Sequence, residues 1–325
     1  MHSHMAIRHS SGKCKDVRGR KFPLRAAPYP EAPAGSSRKQ LGCISRRACY
    51  TPSGTSRGGL PMSGYFGTEV QQRLQAQAEA SVDFINAIPG ACQTGRTMGC
   101  DDPDRFGWEL IDKILNRDGI CGFRMIPASK ADELKSRLAK GGFRFDSWDV
   151  FSADRASALA ASEAIIGRGL PDRLLDQDMP AEPDGEYTIR IQAFMAASGV
   201  VPFSGSLLAG TLGPATTVVV GDETGTVVAT AHGYLAHNSH SEYHRYAWGG
   251  LVAVAQSQRG RGLGNYINAR MIVSVFRDLH ATHIYELVSA ANLPSRRMVE
   301  SCGLRHDPAV VCGVATPGDG ARFTR

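Results

Sequence analysis

The residues best suited to chemistry lie in the stretch VAVAQSQRGRGLGNYINARM, Val252 to Met271, where an apolar run meets a bend of three glycines and two arginines. The run reads as a strand ending near Ala255 and the apolar spacing resumes as a helix near Leu263, so SQRGRG is a strand-to-helix turn. Glycines there permit dihedrals that other residues avoid, and consecutive backbone N–H groups can converge on one point. The partial positive charge of a helix N-terminus, with Arg259 and Arg261 at the rim, makes such a bend a receptor for a phosphate or pyrophosphate. Spacing narrows the ligand. A P-loop needs GxxxxGK[ST], but Gly260 is followed five residues later by Asn265 with no Lys and Ser/Thr pair. A dinucleotide fingerprint needs GxGxxG, and the third glycine of the run 260, 262, 264 arrives one residue early.

The elements that must hold this turn can be read along the chain. TEVQQRLQAQAEASVDFINAI suits an amphipathic helix, WELIDKILNRDG a short helix, CGFRMIP a strand and SKADELKSRLAKGG a capped helix. FRFDSWDVFSA from Phe143 reads as a strand, DRASALAASEAIIGRGLP as a helix, and TIRIQAFMAAS as a helix rather than a strand. TTVVVGDETGTVVATAHGYLA is a β-hairpin turned by GDETG. RYAWGGLVAVA, THIYELVSA and PAVVCGVA are strands, and LGNYINARMIVSVFRDLH and NLPSRRMVESCG are helices. Strand meander followed by strand, helix, strand, helix, strand gives an α/β (α+β) fold with a mixed, mostly antiparallel central sheet flanked by helices.

QRGRGLG after a strand resembles the cofactor signature of GNAT-type N-acetyltransferases, a Q/R-x-x-G-x-G/A loop that grips the pyrophosphate of acetyl-CoA; Gln258 or Arg259 begins it. NLPSRRMVESCGL, Asn292 to Leu304, is similar to the next signature of that family, an Asn opening a helix that closes on Gly plus an apolar residue. The resemblance covers about residues 143–318 and nothing in 1–140. It implies the GNAT (acyl-CoA N-acyltransferase) fold with an N-terminal helical extension, and acetyl-CoA as cosubstrate. In the family the strand before the loop splays from its neighbour and pairs with the pantetheine arm. Here that role falls to Val252 and Val254, with the N–H near Val254 as oxyanion donor. The amides from Arg259 through Gly260, Arg261, Gly262 and Leu263 to Gly264 would hold the pyrophosphate, and Asn292 and Ser295 would flank the pantetheine and the departing sulfur. Direct attack by a neutral amine on the thioester needs no covalent enzyme intermediate.

The chain departs from the family where many members carry a tyrosine acid, seven residues after the Asn: here stands Val299. Tyr285 and Cys302 could substitute but read as core residues. The base is open among His232, Glu242 and His244; Glu286, in the apolar strand IYELVSA, either faces the cavity or is held by a salt bridge or a hydrogen bond to a helix. The loop HNSHSEYH reads as a polar surface connection, Trp148 and Trp248 as packing anchors, and no metal site is expected.

Composition sets the remaining limits. A chain of 325 residues, 42% hydrophobic and 21% charged, has room for one or two globular cores. No run suits a membrane span, and the eight scattered cysteines favour reduced thiols and a cytoplasmic location. The net charge of +6 divides unevenly: residues 1–68 hold twelve Lys or Arg against Asp16 and Glu31, a balance of +10, so the remaining 257 residues carry −4. The expected organisation is a disordered basic leader, 1–67, a small α-rich extension, 68–142, the acetyltransferase domain, 143–318, and a flexible tail, 319–325. The expected partner is a small-molecule or peptide amine acceptor, without a membrane; nucleic acid is disfavoured because the basic leader lacks stacking aromatics, and a homodimer is compatible with the chain. The alternative function is a catalytically weak CoA-binding regulatory or interaction module.

Overall fold

The computed structural model describes residues 64–171 and 173–319; the expected leader up to residue 63 and the tail from residue 320 lie outside them. Chain order starts with α1 (Glu69–Ala80), whose first turn is closed by a reciprocal Thr68–Gln71 capping box, and α2 (Val82–Ala87). Two three-residue strands follow, β1 (Ala91–Gln93) and β2 (Met98–Cys100), then α3 (Pro103–Phe106) and α4 (Trp108–Asp118). Gly119, at φ +70°, ends α4 in the left-handed conformation that glycine adopts without steric cost. Next come β3 (Cys121–Pro127), α5 (Ala131–Lys140), β4 (Phe143–Asp154) and α6 (Arg155–Ile166). The short strand β5 (Leu174–Gln177) precedes α7 (Glu186–Ala197) and α8 (Gly205–Leu208).

The expected hairpin is β6 (Ala215–Asp222) and β7 (Val227–Leu235); Asp222 Oδ1 accepts the Thr224 and Thr226 amides at 2.9 and 3.0 Å and so fixes its turn. Then follow β8 (Tyr246–Val254), α9 (Leu263–Asp278), β9 (His283–Val288) and α10 (Leu293–Ser301). Asn292 caps α10 by accepting the Ser295 amide at 3.2 Å. The described chain closes with β10 (Arg305–His306) and β11 (Val310–Pro317).

The strands join in the order β1-β2-β3-β11-β4-β9-β8-β7-β6-β5, with β10 pairing β4. Only β2/β3 and β8/β9 are parallel; every other ladder is antiparallel, so the sheet is mixed and mostly antiparallel as expected. Successive strand residues point to opposite faces. Phe151, Val220, Ala247 and Ile284 pack with α6, α9 and α10, while their neighbours Val150, Val219, Trp248 and Tyr285 pack with α7 and α8.

Residues 68–142 hold five helices, α1 to α5, in keeping with the expected α-rich segment, and strands besides. They supply three strands, and β3 pairs β11, so these residues share one sheet with the later strands. The strands β1 and β2 carry buried Ala, Cys, Met and Gly rather than an alternating β-branched pattern, which hides them from periodicity.

Two strand–helix–strand units shape the sheet. In one, β8 and β9 run parallel with α9 between them. In the other, β3 and β4 flank α5, and because β11 is antiparallel to both they run in the same direction. The gap of the second unit is filled by β11. The first has no strand inserted.

Candidate active site

The parallel β8/β9 ladder holds for four pairs, from Tyr246↔His283 to Gly249↔Glu286, and then stops although β8 runs on to Val254. The strands part because β8 is bulged: its register with β7 shifts between Thr230↔Ala253 and His232↔Gly250, and Leu251 sits at φ +51°. A left-handed leucine costs roughly 1–2 kcal/mol and persists only where its surroundings impose it. Beyond the bulge the Ala255 amide donates to Val228 of β7 at 2.8 Å. Strand alternation turns the preceding Val254 N–H toward the opposite edge, the side of β9.

At the mouth of this gap lies the glycine turn. Gly260 and Gly262 take φ +76° and +82°, and neither has any atom within 4 Å of where a Cβ would stand. Glycine is required here by backbone conformation, not by space. Gly262 is the N-cap of α9 and supplies no side-chain cap, so the first amides of this 16-residue helix lack the usual oxygen acceptor. Arg259 Nε donates to the Val254 carbonyl at 3.2 Å and Arg261 Nη1 to Gln258 Oε1 at 2.7 Å. Both arginines are exposed and edge an opening made of backbone donors.

The gap leads to a cavity of about 320 Å³. Gly249, Gly250, Leu251 and Val252 of β8 line it together with Glu286 of β9 and Ser295, Met298 and Val299 of α10. Glu286 is 3% exposed, and Asn268 Nδ2 on α9 donates to its Oε1 at 2.9 Å. Burial pushes its carboxyl up from 4.5 to about 7, against the smaller opposing effect of the Asn268 hydrogen bond. A carboxyl titrating there, beside the last β8/β9 pair, is poised to take or give a proton at neutral pH.

The structure gathers some of the expected residues and separates others. Val252 and Ser295 line the cavity; Asn292 serves as the exposed helix cap, and Val254 lies one step further toward the turn, outside the lining. His232 is fully buried, with Nδ1 paired to Thr217 Oγ1 at 2.8 Å, and burial lowers it from 6.5 to about 3. An imidazole held neutral that strongly is a poor proton acceptor, and it does not line the cavity. Glu242 is exposed and borders a separate pocket with Asp102 and Lys130; His244 is exposed as well. The carboxyl in the cavity is Glu286, held by a hydrogen bond to a helix and facing the gap at once.

Tyr285 and Cys302 are fully buried, as their apolar settings suggest, and neither lines the cavity. Val299, in the slot of the missing tyrosine, does line it. Trp148 and Trp248 also border the cavity besides packing. The HNSHSEYH loop is only partly a surface connection: His237 is buried, bonded through Nδ1 to Asp101 at 2.7 Å and through Nε2 to the Tyr285 hydroxyl at 3.1 Å. The histidine spacing carried no signal for this, because both partners come from distant segments. Among the described residues no group of three or more His, Cys, Asp or Glu is arranged as a metal site, and no helix is long and apolar enough to cross a membrane.

Residues 186–304 match the acetyltransferase (GNAT) family, a stretch that includes β8, the glycine turn, α9, Glu286 and α10. No curated protein matches the sequence. Among solved structures, a GCN5-related N-acetyltransferase from Kribbella flavida is similar at 12% identity and a TM-score of 0.49, over 77% of this chain and 96% of that one. A Drosophila protein is similar at 14% identity and a TM-score of 0.49, over 77% and 90%. A tandem GNAT protein from the clavulanic acid biosynthesis pathway is similar at 11% identity and a TM-score of 0.47, over 76% and 89%. The family match and the opened β8/β9 gap coincide on the same residues, and the chain thus carries, over residues 186–304, a domain of the acetyltransferase (GNAT) family, a family of acyl-transfer enzymes.

Proposed function

We propose that the protein transfers the acetyl group of acetyl-CoA to a primary amine by direct attack. The observation that carries this reading is the end of the β8/β9 ladder at Gly249↔Glu286, which leaves the edge of β8 open beside a buried carboxyl. The uncapped N-terminus of α9 and the amides from Arg259 to Gly264 suit a pyrophosphate. The open edge at Val252 and Val254 suits the amides of a pantetheine arm, as an added strand would. Acetyl-CoA supplies an activated thioester.

Glu286, as carboxylate, accepts a proton from the incoming amine, directly or through one water. The amine nitrogen forms the new C–N bond and the C–S bond breaks, with CoA leaving as thiolate. Val254, whose N–H turns toward the β9 side, and Val252, which lines the cavity, are the two candidate donors toward the carbonyl oxygen. A thiol has a reference pKa of about 8.5, so departure as thiolate tolerates Val299 in the slot of a tyrosine acid. The second reading, a CoA-binding regulatory module, is favoured by that same valine. The discriminating experiment is release of free CoA thiol from acetyl-CoA across a panel of amines: amine-dependent turnover supports transfer, and CoA binding without turnover supports the module. A reducing cytoplasm suits the five buried free thiols among the described residues.

A further inference from the structure

The wall of the cavity away from α10 is cationic, and nothing in the acetyl-CoA reading uses it. Arg124 on β3 is only 6% exposed and lines the cavity. Its Nε and Nη1 have no hydrogen-bond partner among the described residues. Its charge acts on the phenols of Tyr285 and Tyr234, the latter hydrogen-bonded to it, on the thiols of Cys312 and Cys92, and on His237 and Arg96, none of them a carboxylate. Arg96, in the β1–β2 turn, lines the same cavity; it donates to the backbone carbonyls of Val201 and Pro202 and stacks 4.9 Å from the Phe203 ring centroid. Two guanidiniums thus meet one cavity without an acid partner in these contacts, an arrangement that a buried cation tolerates poorly unless something else completes it.

The backbone is deformed to put Arg124 there. The β3/β11 register shifts between Ile126↔Val311 and Phe123↔Gly313, so Arg124 and Met125 together face Cys312, and Met125 is forced to φ +53°. In an unbulged strand Arg124 would point to the face opposite Met125. The bulge instead sets it on the Tyr234 and Tyr285 side of the sheet, away from α9 and α10, whose ends carry the expected CoA contacts. From there it meets Glu286, on the α9 side, as lining of one cavity.

We propose that Arg124, assisted by Arg96, binds an oxyanionic group on the acceptor, so that the amine presented to Glu286 belongs to a small molecule carrying a carboxylate or a phosphate. The inference rests on the acetyl-transfer reading for the identity of the amine, while the anion site stands on its own geometry. Guanidinium forks suit both oxyanions bidentately, and a cavity of about 320 Å³ fits a small molecule.

The test uses Trp148 and Trp248, which line the cavity, as reporters. The full chain is titrated with ω-aminocarboxylates of two to six carbons, their carboxamides and the matching aminophosphonates, reading tryptophan fluorescence with CoA present and absent. The account expects at least one carboxylate or phosphonate to bind about 10–100-fold more tightly than its amide, a preference that Arg124→Gln removes and Arg124→Lys partly restores. The stronger of the two oxyanions assigns the source. If Arg124→Gln fails to fold, the comparison in the unmodified chain still decides. Equal affinity for oxyanions and amides at every length, or a preference that survives Arg124→Gln, overturns the inference. Thermal stabilisation by CoA alone is read in parallel: anion preference without CoA binding refutes the acetyl-CoA reading and leaves the anion site, whereas CoA binding without anion preference does the reverse.

Discussion

The units β3–α5–β4 and β8–α9–β9 share one shape, two strands of equal direction joined through a helix, yet only the second forms an entrance. In the first, β11 takes hydrogen bonds from both flanking strands, from Val310↔Pro127 to Ala315↔Cys121 on one side and from Cys312↔Trp148 to Pro317↔Phe143 on the other. In the second, the ladder opens after Gly249↔Glu286 and the edge of β8 runs on without a partner from β9. The turns differ in the same sense. Pro127, Ala128, Ser129 and Lys130 lead into α5 without a glycine, whereas Arg259 to Gly262 lead into α9 with two left-handed glycines. A gap already filled by a strand has no call for backbone donors at its mouth; an open one does.

The largest effect follows from removing the group that only the open unit carries. Glu286→Gln should lower kcat/KM by about 10²–10⁴-fold, measured as CoA thiol release, because a general base is lost. The same variant should be more stable than the unmodified chain at pH 8. The folded-state carboxyl titrates near 7 against 4.5 unfolded, so the fold favours the protonated form. The stability this gives is full below 4.5 and is lost as pH rises through 7. Above that the carboxylate costs on the order of 3 kcal/mol, which the amide avoids. Denaturation midpoints at pH 8 and pH 4.5 check this, and an equal difference at both would break the claim of a buried, titrating acid.

A smaller effect sharpens it. Asn268 donates to Glu286 and holds its carboxyl down against burial. Asn268→Leu should move the acid limb of the kcat/KM profile upward from about 7 by roughly one pH unit, since a hydrogen bond to a charged group contributes about 1.5–3 kcal/mol. An unshifted limb would show that another group sets it. The smallest effect is a control on the filled unit. Ser129→Gly with Lys130→Gly gives that turn glycines, and CoA affinity should stay within about twofold because β11 still occupies the gap. A new CoA site there would mean that the turn, not the gap, is the determinant.

Much of the open unit was legible in the sequence because its signals are local. The glycine pair needs only its own dihedrals, Asn292 caps the helix that follows it, and β8, α9, β9 and α10 are each bounded by their own turn residues. The proposed proton acceptor was less legible. Glu286 stood out as an acid among apolar residues, but its elevated pKa comes from a depth that only the assembled sheet creates. His232 attracted attention by type, and burial favours its neutral form. Arg124 was invisible in that sense: CGFRMIP reads as an ordinary strand, and the bulge that turns its arginine inward exists only against β11, nearly 190 residues away in the register Cys312 shares with Met125. The strands β1 and β2 escaped for a related reason, being three residues each and buried on both sides.

The central claim is that the β8/β9 gap and its glycine mouth hold acetyl-CoA. Isothermal titration of acetyl-CoA into the full chain and into Gly260→Val with Gly262→Val tests it most directly. The account predicts one site per chain whose affinity falls at least about tenfold in the variant, since each valine forced into the left-handed region costs roughly 1–2 kcal/mol and crowds the amides. No binding to the unmodified chain, or equal binding to both proteins, would contradict it.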